Sequence, residues 1–125
     1  MQAVDIDAPE MQVQLGGKEW TLRFDNDMIR RTEIAYAQAV GVQMGYLGIV
    51  AQADRGIFGA LCAMCYGAIA SQEAFDGMPP RQRTGFAAFD ASVRYREMID
   101  AGDDVVGAAL RAIDAGRGNQ KKTQA

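Results

Sequence analysis

The sequence predicts a mainly α-helical fold: a small helical bundle around a Gly/Ala-rich central helix, with an N-terminal β-hairpin. Three observations carry this prediction. Residues 56–72 contain no charged residue and repeat their large apolar side chains at helical spacing. Residues 11–24 alternate polar and apolar residues on either side of a Gly-Gly pair. The later segments repeat apolar residues with a helical period between Gly and Pro breaks.

The alternating segment predicts a hairpin, because Gly16 and Gly17 provide a two-residue turn between its arms. With this turn, three cross-strand pairs bring the large apolar residues to one face: Leu15 with Lys18, Val13 with Trp20, and Met11 with Leu22. A lone hairpin is marginally stable in water, so this face must pack on the helices or on a partner. We favour packing within the domain.

The first helix is expected from about Asp27 to Val40, and Gly41 is a suitable residue to end it. The acidic and amide residues at 25–27 can cap its N-terminus and complement the helix dipole. Capping is favoured over a calcium-binding loop, whose ligand positions the following residues do not match. Residues 42–53 predict a short or irregular helix, interrupted by Gly45 and Gly48.

The central helix, residues 56–72, is apolar on nearly every side, which is typical of a buried helix or a membrane span. A span needs about 20 predominantly apolar residues, and this run is shorter and rich in Gly and Ala, so we favour a buried core helix ending near Ser71. Its larger side chains share one face of the helix: Phe58, Leu61, Cys62, Cys65 and Ile69. Its small residues form a second stripe, the small stripe, spaced four residues apart: Gly59, Ala63 and Gly67. Each glycine costs about 1 kcal/mol relative to alanine, so the stripe predicts close approach of another backbone.

A turn is predicted at residues 76–80, which contain Gly and two Pro. Thr84 can then cap a helix over residues 85–101, and Gly102 is expected to break it. Asp103 can cap a last helix that Gly116 would stop. The inward-facing residues of these two helices are expected to be Phe86, Phe89, Val93 and Met98 in the first, and Val106, Ala109, Leu110 and Ile113 in the second.

At 125 residues, the chain is long enough for one domain that buries roughly two-thirds of its unfolded surface without a disulfide or metal. We expect a flexible N-terminus over residues 1–10, a single helical domain over 11–115 that includes the hairpin at 11–24, and a disordered polar tail over 116–125.

Charge and composition exclude several function classes. The net charge is −3 and the 13 Lys and Arg are scattered, unlike a nucleic-acid footprint or a basic membrane-binding helix, so we expect neither partner. The N-terminal residues MQAVDIDAPE lack the features of a signal peptide, which favours a cytoplasmic location. The chain contains no histidine, the commonest general base and metal ligand. We therefore expect no enzyme activity, no catalytic residue, no cofactor and no metal site.

Cys62 and Cys65 form the one motif with possible chemistry. All-helical thiol peroxidases of the AhpD type carry such a pair with a histidine four residues after the second cysteine, but Ile69 occupies that position here. A zinc site would need two further ligands of the usual kind. A reactive cysteine also needs an electropositive, partly exposed setting, so core cysteines acting as small apolar side chains are the favoured interpretation.

Three segments of the chain are informative in their order: the hairpin and cap VQLGGKEWTLRFDND, the helix MIRRTEIAYAQAVG, and the C-terminal MIDAGDDVVGAALRAI. This order of elements resembles the tail assembly chaperones of long-tailed phages and gene transfer agents, in particular the short gene transfer agent-like group. With the small-rich central helix, the resemblance extends over roughly residues 11–115. It rests on patterned positions: Leu22, Ile29, Glu33, Gly41, Leu61, Ile69 and Leu110. The paired cysteines and the glycines at 45 and 48 depart from the family.

The resemblance implies a non-enzymatic assembly factor in the host cytoplasm. Such proteins coat the long helical tape-measure protein, keep it soluble, help to recruit the tail-tube protein, and are absent from the finished particle. The seven methionines suit an adaptable apolar surface. We expect the chain to be a monomer or to self-associate weakly before it binds its client, the tape-measure protein. The candidate partner-binding residues lie on the hairpin and the first helix: Trp20, Phe24, Ile29, Glu33 and Tyr36. The alternative is another phage morphogenesis factor, such as a head–tail completion protein.

Overall fold

The computed structural model describes residues 9–124, with side chains up to residue 115. This part of the chain forms a two-stranded antiparallel hairpin followed by five α-helices, as the sequence predicted. The elements in chain order are β1 Glu10–Leu15, β2 Lys18–Arg23, α1 Asn26–Val40, α2 Tyr46–Asp54, α3 Phe58–Phe75, a 3-10 turn Pro80–Gln82, α4 Phe86–Ser92 and α5 Tyr95–Gln124. None of the helices in the described residues is long and apolar enough to cross a membrane.

The hairpin has the predicted register. Leu15 pairs with Lys18, Val13 with Trp20, and Met11 with Leu22. The turn glycines have φ of 63° and 76°, the left-handed values that a two-residue hairpin turn of this kind requires. Leu15 and Leu22 are fully buried, because the apolar face packs within the domain against α3 and α5.

Helix α1 begins and ends as its sequence predicted. The Asp25 carboxylate accepts a hydrogen bond from the Met28 N–H at 2.9 Å, and Gly41 ends the helix with φ of 81°. The small stripe of α3 meets α1 at Gly67, where an added Cβ would lie 2.8 Å from the Thr32 nitrogen and 3.0 Å from the Met28 carbonyl oxygen. The predicted close approach of a second backbone is therefore confirmed at this glycine.

Helix α3 forms the centre of the core. Leu61, Cys62, Cys65 and Ile69 are buried, as predicted. The helix continues to Phe75, beyond the predicted end near Ser71. Tertiary contacts hold the extra turn: the Ser71 hydroxyl donates to Asp25 at 2.6 Å, and the buried Glu73 carboxylate accepts from both the N–H and the hydroxyl of Thr84. Thr84 is thus engaged with α3, and the prediction that it caps the next helix was wrong.

The predicted helix boundaries after residue 84 also differ. The break falls at Val93, whose extended backbone ends α4, and not at Gly102. Glu97, in the first turn of α5, accepts hydrogen bonds from the N–H groups of Arg94 and Gly16, so a capping-box contact and the hairpin turn together fix this start. Gly102 lies inside α5 because Leu61 packs against it, 3.2 Å from an added Cβ.

Four further predictions about the C-terminal half need correction or stay open. Asp103 lies within α5 and does not cap a helix, and α5 continues past the predicted stop at Gly116. Leu110, expected to face inward, is exposed. The predicted disorder of residues 116–125 stays a prediction. At the other end, residues 1–8 of the predicted flexible segment lie outside the described residues, and Glu10 already belongs to β1.

Candidate binding groove

An open groove lies between the C-terminal half of α1 and the segment that leads into α2. We call it the α1–α2 groove. It has a volume of about 600 Å³ and is lined by Glu33, Ile34, Ala37, Gln38, Gln43, Met44 and Gly45. The four α1 residues are two adjacent pairs one turn apart, so they share one side of the helix. The three remaining residues form the opposite wall.

The sequence around residue 41 determines the shape of this groove. Gly41 ends α1 in the left-handed region, and the chain can then turn back towards the helix it has just left. The Glu33 carboxylate accepts a hydrogen bond from the Tyr46 N–H at 2.9 Å. Because Gly45, the N-cap of α2, makes no side-chain cap hydrogen bond, this carboxylate satisfies one of the free N–H groups of the helix.

Met44 and Gly48 complete the second wall. The Met44 side chain occupies the space beside Gly48, where an added Cβ would lie 2.9 Å from Met44 Cγ. Gly48 was expected to interrupt a helix in this region. It lies within the regular helix α2 instead, and its missing side chain gives the methionine room to lie half-buried in the groove wall.

Large apolar side chains are exposed at and beside the groove. Ile34, in the groove lining, is 60% exposed, and Val42, next to Gln43 in the chain, is 53% exposed. Leu47, two residues beyond Gly45, is 67% exposed. Half of the exposed large hydrophobics in the described residues fall between positions 34 and 47; the full set is Ile34, Val40, Val42, Leu47, Ile57, Phe75, Tyr95 and Leu110. An exposed large apolar residue in the lining of a concave surface, as Ile34 is, is typical of a binding site for an apolar partner.

The structure does not bring the five predicted partner-binding residues together. The Trp20 ring packs edge-on against Phe89, 5.6 Å between centroids, and its indole N–H donates to the Leu15 carbonyl at 3.0 Å. Phe24 and Tyr36 are buried in the core, and Ile29 packs against that core while partly exposed. Of the five, only Glu33 lines the groove.

Sequence reasoning missed Ile34 and Met44. Ile34 lies off the stripe of α1 residues that points to the core, and it is a large apolar residue on an otherwise polar side of the helix. That mismatch is the one signal in the sequence that could have identified it. Met44 had no comparable signal, because its place in the groove depends on how the chain folds back after Gly41.

The paired cysteines lie in the core, where neither side chain is exposed. Burial raises the pKa of Cys65 to about 12. Burial also raises the pKa of Cys62 strongly, and the nearby Asp90 charge adds to the effect. The Cys65 sulfur lies 3.6 Å from the Met98 sulfur. Because a reactive cysteine needs an accessible thiolate, these surroundings favour a packing role for both residues.

A second, smaller cavity lies where the hairpin turn meets the start of α5. It has a volume of about 420 Å³ and is lined by Gly16, Gly17, Ser92, Arg94 and Glu97. Hydrogen bonds from Gly16 and Arg94 lower the pKa of Glu97. The Glu97 carboxylate thus already binds the hairpin turn and the start of α5.

Within the described residues, no group of three or more His, Cys, Asp or Glu is placed to hold a metal ion.

Comparison of the chain with models of protein families, with curated proteins and with solved structures found no match in any of the three.

Proposed function

We propose that this chain is a tail assembly chaperone of a long-tailed phage or gene transfer agent. In this role it binds the helical tape-measure protein in the host cytoplasm, keeps it soluble and helps to recruit the tail-tube protein, without catalysing a reaction. The resemblance over residues 11–115 supports the proposal. The hairpin, the capped helix and the small-rich central helix occur in the order that the resemblance implies, whereas residues 98–113 lie within the single helix α5 and do not form two helices.

The observation that carries the proposal is the α1–α2 groove with its exposed apolar residues. An amphipathic helix can place an apolar stripe in a groove of this kind, because a helix satisfies its own backbone hydrogen bonds. A long helical client offers many similar stripes, so several copies of a small chaperone could bind along it. Met44 in the wall suits this task, since a flexible thioether side chain adapts to different apolar partners.

A non-enzymatic role is supported by the chemistry of the chain. It contains no histidine, and its two thiols are buried with raised pKa values. If peroxide turnover were nevertheless detected and were lost in both Cys62→Ser and Cys65→Ser, the thiol peroxidase alternative would replace the proposal.

Co-expression tests the proposal directly. The chain is expressed with the long helical product encoded beside its gene, and the soluble fraction, co-purification and number of copies per client are measured. Ile34→Glu should reduce co-purification at least about tenfold, because it removes apolar contact area and places a charge against the client. Leu110→Glu is the matched control: Leu110 is also an exposed apolar residue on a helix, but it does not line the groove.

Two results would count against the proposal. In the first, the client stays insoluble in the presence of the wild-type chain. In the second, the purified chain alone forms a stable, discrete oligomer by light scattering, which is the behaviour expected of a ring-forming head–tail completion protein.

A further inference from the structure

Glu33 is placed to do more than cap a helix. One of its carboxylate oxygens accepts the Tyr46 N–H at 2.9 Å. Among residues 9–115, Glu33 makes no further hydrogen bond or ion pair. The side chain is half-buried and lines the groove next to Ile34. A second acceptor is thus available at the edge of an apolar surface.

The charge of the groove is therefore negative. Its six other lining residues are apolar, glycine or amide side chains, and none is basic. The nearest basic residues of α1, Arg30 and Arg31, lie at the preceding turn outside the lining, and Arg31 is paired with Asp27 at 2.6 Å. A partly desolvated carboxylate in this setting attracts a cation more strongly than a fully solvated one would.

From this arrangement we infer that the α1–α2 groove selects amphipathic helices that carry a lysine or arginine at the border of the apolar stripe, with that cation bound by Glu33. The inference rests on the proposed function, because it names the chemistry of the client that the chaperone would bind. Apolar residues one turn apart in the partner contact Ile34, Ala37 and Met44. The cation on the next turn reaches the free oxygen of Glu33. Gln38 and Gln43 can hydrogen-bond polar residues at the edge of the partner helix.

Glu33→Gln isolates the charge. The amide oxygen of glutamine can still accept the Tyr46 N–H, so the start of α2 and the shape of the groove are kept, while the negative charge is removed. The matched control is Asp54→Asn, which removes an exposed carboxylate at the end of α2 that does not line the groove. Thermal unfolding followed by circular dichroism verifies that both variants stay folded.

The probes are two synthetic helices of 18 residues with blocked ends and the same leucine stripe. One carries a single lysine at the border of the stripe, and the other carries methionine there. Binding is measured by fluorescence polarisation at low and high salt. We expect the wild-type chain and Asp54→Asn to prefer the lysine helix roughly three- to tenfold at low salt. High salt should reduce the preference, and Glu33→Gln should abolish it.

The outcomes separate the inference from the proposed function. Equal binding of the two helices by the wild-type chain refutes the inference, as does a preference that survives in Glu33→Gln. Concentration-dependent dimerisation that Ile34→Glu abolishes, with no helix bound, also refutes it and assigns the groove to a second copy of the chain. If the lysine preference depends on Glu33 but the tape-measure product is not solubilised, the inference stands and the proposed function fails. If that product is solubilised equally by wild type and Glu33→Gln, and neither helix is preferred, the proposed function stands and the inference fails.

Discussion

The contact of α3 with α1 can be tested by Gly67→Ala. The added methyl group would lie 2.8 Å from the Thr32 nitrogen and 3.0 Å from the Met28 carbonyl oxygen. Both atoms belong to the backbone of α1, which cannot rotate away as a side chain could. The two helices would therefore have to separate by several tenths of an ångström. Because Thr32 and Met28 are fully buried, separation would loosen packing throughout this contact.

The expected magnitude follows from two opposing effects. Alanine is favoured over glycine inside a helix by about 1 kcal/mol. Overpacking a close contact typically costs ~1–3 kcal/mol, and the upper end applies here because the opposing atoms are backbone. We expect a net loss of about 2 kcal/mol in the free energy of unfolding, measured by urea denaturation monitored by circular dichroism.

Gly59→Ala is the matched control in the same helix. An added Cβ there would meet only Val40 Cγ2 at 3.6 Å, an ordinary contact, so the helix preference should dominate and stabilise the protein by up to about 1 kcal/mol. The two substitutions are chemically identical and should have opposite signs. Equal stability changes for both variants, or a gain in stability from Gly67→Ala, would refute the proposed backbone contact.

Two further predictions concern buried polar groups. Burial alone would raise the pKa of Asp25, but hydrogen bonds from Ser71, the Met28 N–H and Arg23 outweigh it and hold that pKa below its usual value of 3.8. The ionised carboxylate therefore stabilises the fold above pH 3.8, and this stabilisation is lost as the pH falls through the lower pKa of the folded state. Asp25→Asn should weaken the acid dependence of the free energy of unfolding, measured between about pH 5 and pH 2. The thiols of Cys62 and Cys65 are both buried, so they should not react with Ellman's reagent at pH 8 in the native protein. Both should react in about 6 M guanidinium chloride. Rapid reaction of the native protein would contradict the described packing.

Local patterns were sufficient to predict the first half of the fold. The hairpin register follows from the Gly-Gly turn and the alternation around it, and both ends of α1 follow from Asp25 and Gly41. Each of these features is determined by residues close together in the chain. The small stripe of α3 similarly predicted a close backbone approach, although the sequence could not say which helix would approach Gly67.

The later helix boundaries could not be predicted this way. Glycine inside a helix costs only about 1 kcal/mol relative to alanine, so a favourable tertiary contact can keep the helix continuous. Leu61 packing against Gly102 is such a contact. At Gly48 the contact is local, because Met44, four residues earlier, occupies the space of the missing side chain. The break at Val93 had no Gly or Pro to mark it. It coincides with a carboxylate, Glu97, that binds the N–H groups of both Arg94 and the distant Gly16.

The sequence by itself determined the fold class, the hairpin, the buried central helix and the absence of histidine, because these depend on composition and short-range periodicity. Only the tertiary structure decided which side chains are available to a partner. The Trp20 ring packs against Phe89 and its N–H donates to the Leu15 carbonyl, while Phe24 is buried in the core. Ile34 and Glu33 meet Met44 in a groove because the chain folds back after Gly41. Exposure depends on which elements cover a residue, and contacts between distant parts of the chain decide that.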